Sequence, residues 1–530
     1  MLRRIIRRAA PFSVWALTLV ISGCIGTGGI APQGNALPVD NLATDQAIQN
    51  ADRDAHWPAA QWWRAYGDPQ LNHWIDLAAS SAPSLAMAAA RVRQAKAMAG
   101  VAESAESLHI NGEASLKRHD WATDQFYGPG ALANTTTWDN NASLGLSYSL
   151  DFWGRESNAS ERALDMAHLS AAQARQAQLE LQDNVVRAYI QLSLNFARRD
   201  IAEAMLAQQQ QILDLAQRRL KGGIGTHFEV SQAETPLPET HRQIDELDEA
   251  IALNRNQLAA LAGKGPGQGA SLQRPTLSLG NPLKLPSALP AQLLGQRPDV
   301  VASRWRVAAQ ARGIDVAHAG FYPNVNLVGS LGYMATGGGM LEFLAGKKFN
   351  YSAGPAVSLP IFDGGRLRAE LGEASAGYDL AVAQYNQTLI TAIKSISDQL
   401  IRRESMDKQA VFVGESVASA QKTYDIALIA YQRGLTDYLN VLNAQTLLFR
   451  QQQIQQQVQA ARLSAHAGLV VALGGGLEAG SDVPADDKTQ APAYKPDSLP
   501  PQLNGRPERW FRCFGPGHRS CCESAGRSRR

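Results

Sequence analysis

Two patterns follow one another along this chain, and each occurs twice. Tyr351, Ala353, Pro355, Val357 and Leu359 fall on one side of a period-2 alternation, which predicts a strand with one greasy face. Pro360 and the turn Asp363-Gly364-Gly365 end it. From Arg366 a long Ala-rich run without proline predicts helix. Upstream, Leu144, Leu146, Tyr148 and Leu150 alternate, Asp151-Phe152-Trp153-Gly154 turns the chain, and Arg155 opens another helical run. The two arginines stand 211 positions apart (366 − 155), and Glu234 and Gln445 in the later turns keep that offset. A strand feeding a very long helix therefore predicts a long internal repeat.

The remaining pattern fills in around this frame. Residues 31–58 are polar and irregular, and Trp57, Trp62, Trp63, Tyr66 and Trp74 then cluster to dock a short first helix. A helix capped by Ser84 runs to Ser107, and Leu108, Ile110, Gly112, Ala114 and Leu116 begin the first strand. Residues 120–140, containing Gly128-Pro129-Gly130, read as a loop before the second strand. The helix from Gly154 to Lys221 would be about 100 Å long, too long for a compact domain. Its Leu181, Val185, Ala188 and Leu192 step as a coiled-coil seam. Gly222-Gly223-Ile224-Gly225 ends it, and a helix from Thr226 to Leu261 follows, kinked at Pro236 and Pro238. In the second half, Arg297-Pro298-Asp299 opens a helix to Ala319. Val325, Leu327, Gly329, Leu331 and Tyr333 form the third strand, before a loop with Gly337-Gly338-Gly339. The second long helix spans Arg366 to Arg433, and the chain turns at Gly434-Leu435 and returns from Thr436 to Leu473. The organisation read from this is a signal over 1–23, a tether over 24–70, repeats over 71–263 and 291–476 joined by a Gly/Pro-rich linker over 264–290, and a tail over 477–530.

Composition supports long helices over one large core: aromatic residues make up 7% and charged residues 18%. The formal net charge of +2 hides an uneven distribution. Arg3, Arg4, Arg7 and Arg8 and an Arg-rich C-terminal tail carry the excess, leaving a mildly acidic middle that argues against nucleic-acid binding. The N-terminal arginines precede an apolar run over 9–20 and then Ile21-Ser22-Gly23-Cys24, which resembles a bacterial lipoprotein signal. Cys24 is the expected site of a thioether-linked diacylglycerol and an amide-linked acyl chain, and Ile25 beside it permits sorting to the outer membrane. No later segment reaches the roughly 18 apolar residues of a spanning helix. If the mature chain crosses a membrane, it does so with strands. Four strands cannot close on themselves, and lipid tolerates no unpaired strand edge, so several chains would share one barrel. A dimer of eight strands or a trimer of twelve both satisfy that condition; a conduit favours three chains.

Arg297-Pro298-Asp299, Phe321-Tyr322-Pro323, Leu359-Pro360-Ile361-Phe362-Asp363-Gly364-Gly365-Arg366 and the run from Gly434 to Gln445 resemble the TolC-type outer-membrane efflux factors. The lipoprotein signal and the Trp-rich entry are similar to the NodT/OprM branch. The likeness covers roughly residues 15–478. It implies a mainly helical fold with a membrane β part: a trimer with a twelve-stranded barrel, continued by a periplasmic tunnel of twelve helices. It implies a passive channel working with a periplasmic adaptor and an inner-membrane pump of resistance-nodulation-division or major-facilitator type. In that family acidic rings at the periplasmic helix turns select cations. The corresponding positions here are amides, Asn440 and Asn443. Glu229 matches Asn440 in the other half, and Asp437 lies one turn before it, so a weaker negative ring is expected. Gly223-Ile224 and Gly434-Leu435 would be the tips that meet the adaptor.

Other chemistry finds little support. Gly263-Lys264-Gly265 lacks the spacing and the hydroxyl of a phosphate loop. The Gln runs at 208–211 and 451–457 read as water-facing helix surface. Cys513, His518, Cys521 and Cys522 have no recognisable zinc spacing, and no metal or soluble cofactor is expected. A secreted enzyme has no supporting constellation. A periplasmic coiled-coil lipoprotein without a pore would explain the helices but not the four amphipathic strands.

Overall fold

Four strands form one antiparallel meander in the order β1-β2-β3-β4, fed and drained by helices. The computed structural model describes residues 26–38, 58–122, 134–279 and 297–476. All of these belong to one compact unit. The signal, Cys24, Trp57, the Gly128-Pro129-Gly130 segment and the Cys/Arg-rich tail lie outside the described residues.

The elements are α1 (Pro69–Ser81), α2 (Pro83–Ser104), β1 (His109–Asp120), β2 (Thr136–Ser149), α3 (Arg155–Lys221), α4 (His227–Glu234), α5 (Pro236–Leu261), the one-turn α6 (Pro266–Gly269), α7 (Pro298–Ala319), β3 (Asn324–Thr336), β4 (Phe349–Ser358), α8 (Arg366–Gln432) and α9 (Tyr438–Ala472). Both long helices have 67 residues, or about 100 Å at helical rise. Packing makes α3 the spine: it touches α2, α5, α7 and α9, while α8 packs along α7 and α9.

Several boundaries differ from the sequence reading. Ser84 is not a cap: α2 starts at Pro83, whose fixed φ suits the first turn, and Ala82 precedes it without a side-chain bond. β1 continues to Asp120 and β2 begins at Thr136, so the loop between them is shorter than expected. The hairpin extends because Thr136 and Trp138 still pair with Asp120 and Arg118. The proline break falls at Thr235, where α4 gives way to α5. Thr436 lies outside α9 and Asp437 is its cap. The linker carries the helical turn α6.

Each long helix starts by the same device. The Asp151 carboxylate accepts from the backbone N–H of Arg155 (2.7 Å) and Ser157 (2.9 Å). Asp363 accepts from Gly365 (3.0 Å) and Leu367 (2.8 Å). Gly154 and Gly365 sit at φ 70° and 93°, the left-handed conformation that swings the chain from strand into helix. These bonds hold the Asp363 carboxyl below the usual carboxylate range.

The main core gathers Trp62, Trp63, Tyr66 and Trp74 against the α3 seam Leu181, Val185, Ala188 and Leu192, so the aromatic cluster docks on the long helix as well as on α1. Asp68 stitches it together. It caps α1 through Gln70 N (2.8 Å) and accepts from Tyr189 Oη of α3 (2.9 Å) and Thr276 N (2.8 Å). Tyr66 Oη donates to the Leu463 carbonyl of α9 (2.8 Å) and lies 3.3 Å from His466 Nδ1. The Trp-rich entry is thus pinned to two separate helices.

Candidate functional site

The turns after the long helices are built alike. Gly223 and Gly434 both stand at φ 73°, closing α3 and α8. Ile224 N donates to the Arg219 carbonyl (3.0 Å), and Leu435 N to the Ala430 carbonyl (2.9 Å). These bonds satisfy carbonyls that the helix leaves open. They also push the next side chain outward: Ile224 is 71% and Leu435 76% exposed. One turn on, Phe228 and Leu439 are exposed too. Each residue lies 211 positions from its counterpart, so the two tips show the same apolar pair.

The candidate gate residues occupy the first turn after those tips. Thr226 Oγ1 accepts from Glu229 N (3.2 Å), and Glu229 Oε2 accepts from Thr226 N (3.1 Å), a complete capping box. Asp437 Oδ1 accepts from Asn440 N (3.2 Å) and from Asn440 Nδ2 (2.9 Å), while Nδ2 also donates to Thr436 Oγ1 (2.7 Å). Asp437 and Asn440 are thus joined directly, and Glu229 sits at the matching position of the other hairpin. Asn443 is exposed one turn further along α9, on the same side as Asn440.

Behind the tips lies a contact that no sequence pattern marks, because its partners are 212 positions apart. The Arg219 guanidinium of α3 covers the Tyr431 ring of α8 at 4.8 Å and donates to the Tyr431 carbonyl (3.1 Å). Tyr438 of α9 approaches the same ring at 6.1 Å. Burial pushes both phenols up, Tyr438 to about 12, with the Glu229 charge adding to the rise at Tyr431.

At the opposite end of α8 the N-terminal segment is strapped to the helix. Gly26 O accepts from Arg368 Nε (2.9 Å). Asp379 Oδ1 accepts from Gln33 N (2.8 Å) and Gly34 N (2.6 Å). Asn386 accepts from Leu37 N (2.9 Å) and donates to the Asn35 carbonyl (3.0 Å). The strap runs down α8 from a point two residues after the helix begins, beside the end of β4.

The sheet carries an apolar face across all four strands. Ile110, Leu146, Gly329 and Ala353 pair in one row, and Gly112, Leu144, Leu331 and Tyr351 in the next. Directly opposed residues share a face. On it Ile110, Leu144, Leu331 and Tyr351 are all exposed. The other face carries Asn111, Glu113, Ser143, Ser147, Ser330 and Ser352. Among the described residues the outer edges of β1 and β4 have no partner strand. No described helix is long and apolar enough to cross a membrane, and no described group of His, Cys, Asp and Glu could hold a metal ion.

Long paired helices joined to a small antiparallel sheet with one apolar face define the fold class of the outer-membrane efflux channels. The chain belongs to the outer membrane efflux protein family, whose profile matches residues 74–264 and 289–475. It is 47% identical over 481 residues to the fusaric acid resistance protein FusA of Burkholderia cepacia, a match covering 90% of each chain. It is 30% identical over 424 residues to the pyoverdine export outer membrane protein OpmQ of Pseudomonas aeruginosa, covering 79% of this chain and 88% of that one. Among solved structures, the outer membrane protein VceC of Vibrio cholerae aligns with a TM-score of 0.75 at 32% identity, over 80% of this chain and all of that one. The family is one of transport proteins rather than enzymes.

Proposed function

We propose that three copies of this chain close a twelve-stranded barrel in the outer membrane and continue it as a helical tunnel, giving a passive export duct. The observation that carries this is the exposed apolar face ending in two unpaired strand edges. Such edges are stable in lipid only when another strand completes their hydrogen bonds. Eleven residues of β2, from Trp138 to Tyr148, would span about 25 Å at the rise and tilt usual for barrel strands, the height of a lipid-facing band. The repeated order of strand pair and long helix supports an internal duplication. Purified protein is expected to need detergent, to run as a heat-sensitive trimer on gels and to conduct in planar bilayers. A water-soluble monomer would refute the reading.

Lipidation at Cys24 fits the strap. Gly26, two positions after Cys24, is held at the first turn of α8, and an anchor in the inner leaflet would belong at that level. The exposed pairs Ile224/Phe228 and Leu435/Leu439, beside Gly223 and Gly434, are apolar surface for a periplasmic adaptor. An inner-membrane pump of resistance-nodulation-division or major-facilitator type would then supply the energy. The tunnel narrows at the turns, with Asn440 and Asn443 as hydrogen-bonding gate residues and Glu229 and Asp437 as the remaining negative charge. Asn443→Asp should shift the reversal potential toward cation selectivity; an unchanged potential would remove Asn443 from the constriction. The names of FusA and OpmQ make fusaric acid and pyoverdine the cargoes to test first.

A further inference from the structure

The loop between β3 and β4 lies over the wrong face of the sheet to be a lid. Leu116, Asn140 and Ala335 form one cross-strand row, two residues along each strand from the row of Ala114, Ala142 and Tyr333. They therefore point to the same side as Leu144 and Leu331, the apolar side. There the exposure pattern breaks. Leu144 is 47% exposed, but Asn140 is 2% and Ala335 6%. The cover is the loop itself. Asn140 Nδ2 donates to the Met340 carbonyl (2.7 Å), and Asn140 Oδ1 accepts from Lys117 N (3.1 Å). Phe343 is buried, and the short turns Glu342–Leu344 and Gly346–Lys348 both pack on β3.

So folded, the loop shows an amphipathic outer surface. Met340, Leu341 and Leu344 are exposed, and Lys347 and Lys348 follow them into β4. Phe349 then meets Tyr333 with ring centroids 5.4 Å apart, and Trp138 shares their side of the sheet. Arg118, opposite Trp138, is exposed at the same end. The described acids at this end are committed: Asp120 accepts from Thr136 Oγ1, Asp139 from Thr336 Oγ1 and Glu342 from Gly339 N. Aromatic rings followed by cations mark the depth at which hydrocarbon gives way to headgroups.

We propose that this loop rests in the outer leaflet and that Lys347, Lys348 and Arg118 hold the phosphates of a phosphorylated, multi-acyl lipid. The proposal rests on the barrel reading, since closure brings β1 of the next copy, with its Arg118, beside β4. Met340, Leu341 and Leu344 would lie among the acyl chains, and the loop would leave the mouth of the duct uncovered.

The test uses the full chain, purified as its trimer. Binding of diphosphoryl lipid A, with its dephosphorylated form as the comparison, is followed by native mass spectrometry. Each basic side chain near an anionic surface is worth about a factor of five, so K347A/K348A is expected to weaken diphosphoryl lipid A binding about 25-fold. R118A is expected to weaken it about fivefold, and dephosphorylated lipid should bind poorly to all. Equal binding of the two lipids, or unchanged binding by the variants, overturns the proposal and leaves the barrel intact. A bimane probe at L344C in lipid nanodiscs gives an independent reading: blue-shifted emission supports the resting loop, and water-like emission overturns it. A preparation with no trimer on unheated gels would overturn the barrel reading, and this inference with it.

Discussion

Asp68 is the side chain on which the N-terminal entry depends most. It is 3% exposed and serves donors in three parts of the chain: Gln70 N in α1, Tyr189 Oη in α3, and Thr276 N and Oγ1 after α6. Asp68→Ala removes a helix cap, worth about 1 kcal/mol. It also leaves the buried Tyr189 hydroxyl without an acceptor and frees Thr276, adding about 2 kcal/mol. Tyr189 still accepts from Gln70 Nε2 (2.7 Å), so the loss stops there. A total of about 3 kcal/mol corresponds to about a hundredfold faster local opening. Hydrogen–deuterium exchange of the detergent-solubilised protein should show it in the peptides covering residues 68–72 and 270–279, with α9 near the Leu435 tip unchanged. Asp68→Asn keeps one acceptor oxygen, so about a tenfold effect is expected. An Asp68→Ala exchange rate within threefold of the parent would refute the reasoning.

His466 gives a pH dependence. Burial, with the nearby Arg403 charge, pushes its pKa down to about 4 from an ordinary 6.5. The unfolded chain takes up this proton first, so the stability of the Tyr66 contact should fall by about 3 kcal/mol between pH 6.5 and 4 and level off below; H466F should flatten that segment of the unfolding profile. Gly34→Ala should lift the strap, because a Cβ there would lie 3.1 Å from Asp379 Cα and 3.2 Å from Val382 Cβ; faster exchange across residues 33–37 with an intact trimer is the expected result. The Asp363 cap lies below the ordinary carboxylate range in the fold. Its contribution is therefore full above that range and is lost as pH falls through the lower folded value; Asp363→Asn should fray residues 365–367 at neutral pH as acid does in the parent.

Much of this architecture could be read from the chain because it is local. Period-2 alternation at Leu144, Leu146 and Tyr148 and proline-free runs after Arg155 and Arg366 are set by neighbours, and the structure keeps them. Boundaries failed where a better local device competed: Pro83 at the first turn displaced Ser84 as a start signal, and Asp437 took the cap and left Thr436 outside the helix. The candidate site was legible only as a place. Glu229, Asn440 and Asp437 could be named, but their bonding could not. The capping box and the Asn440–Asp437 link depend on the rotamers that the folded turn selects. Arg219 and Tyr431 were invisible, since they meet only when α3 and α8 lie side by side. The strap was hidden for the same reason: Gly26 to Leu37 reads as a featureless tether until α8 supplies Arg368, Asp379 and Asn386.

Comparing the two tips separates what the fold demands from what transport can vary. Gly223 and Gly434 are alike because the left-handed turn requires it, and Ile224/Leu435 and Phe228/Leu439 are alike in being apolar and exposed. The caps differ in chemistry and agree in what they do. Thr226 in one hairpin and Asp437 in the other each accept from the N–H three residues on. That third residue is an acid in one case and an amide in the other, and both bond back to their own turn. The turn is therefore satisfied by either, and helix formation does not fix the charge at this position. A charge change confined to Glu229 or Asn440 should then leave the hairpins standing, so that an altered ion preference reports on conduction rather than on folding.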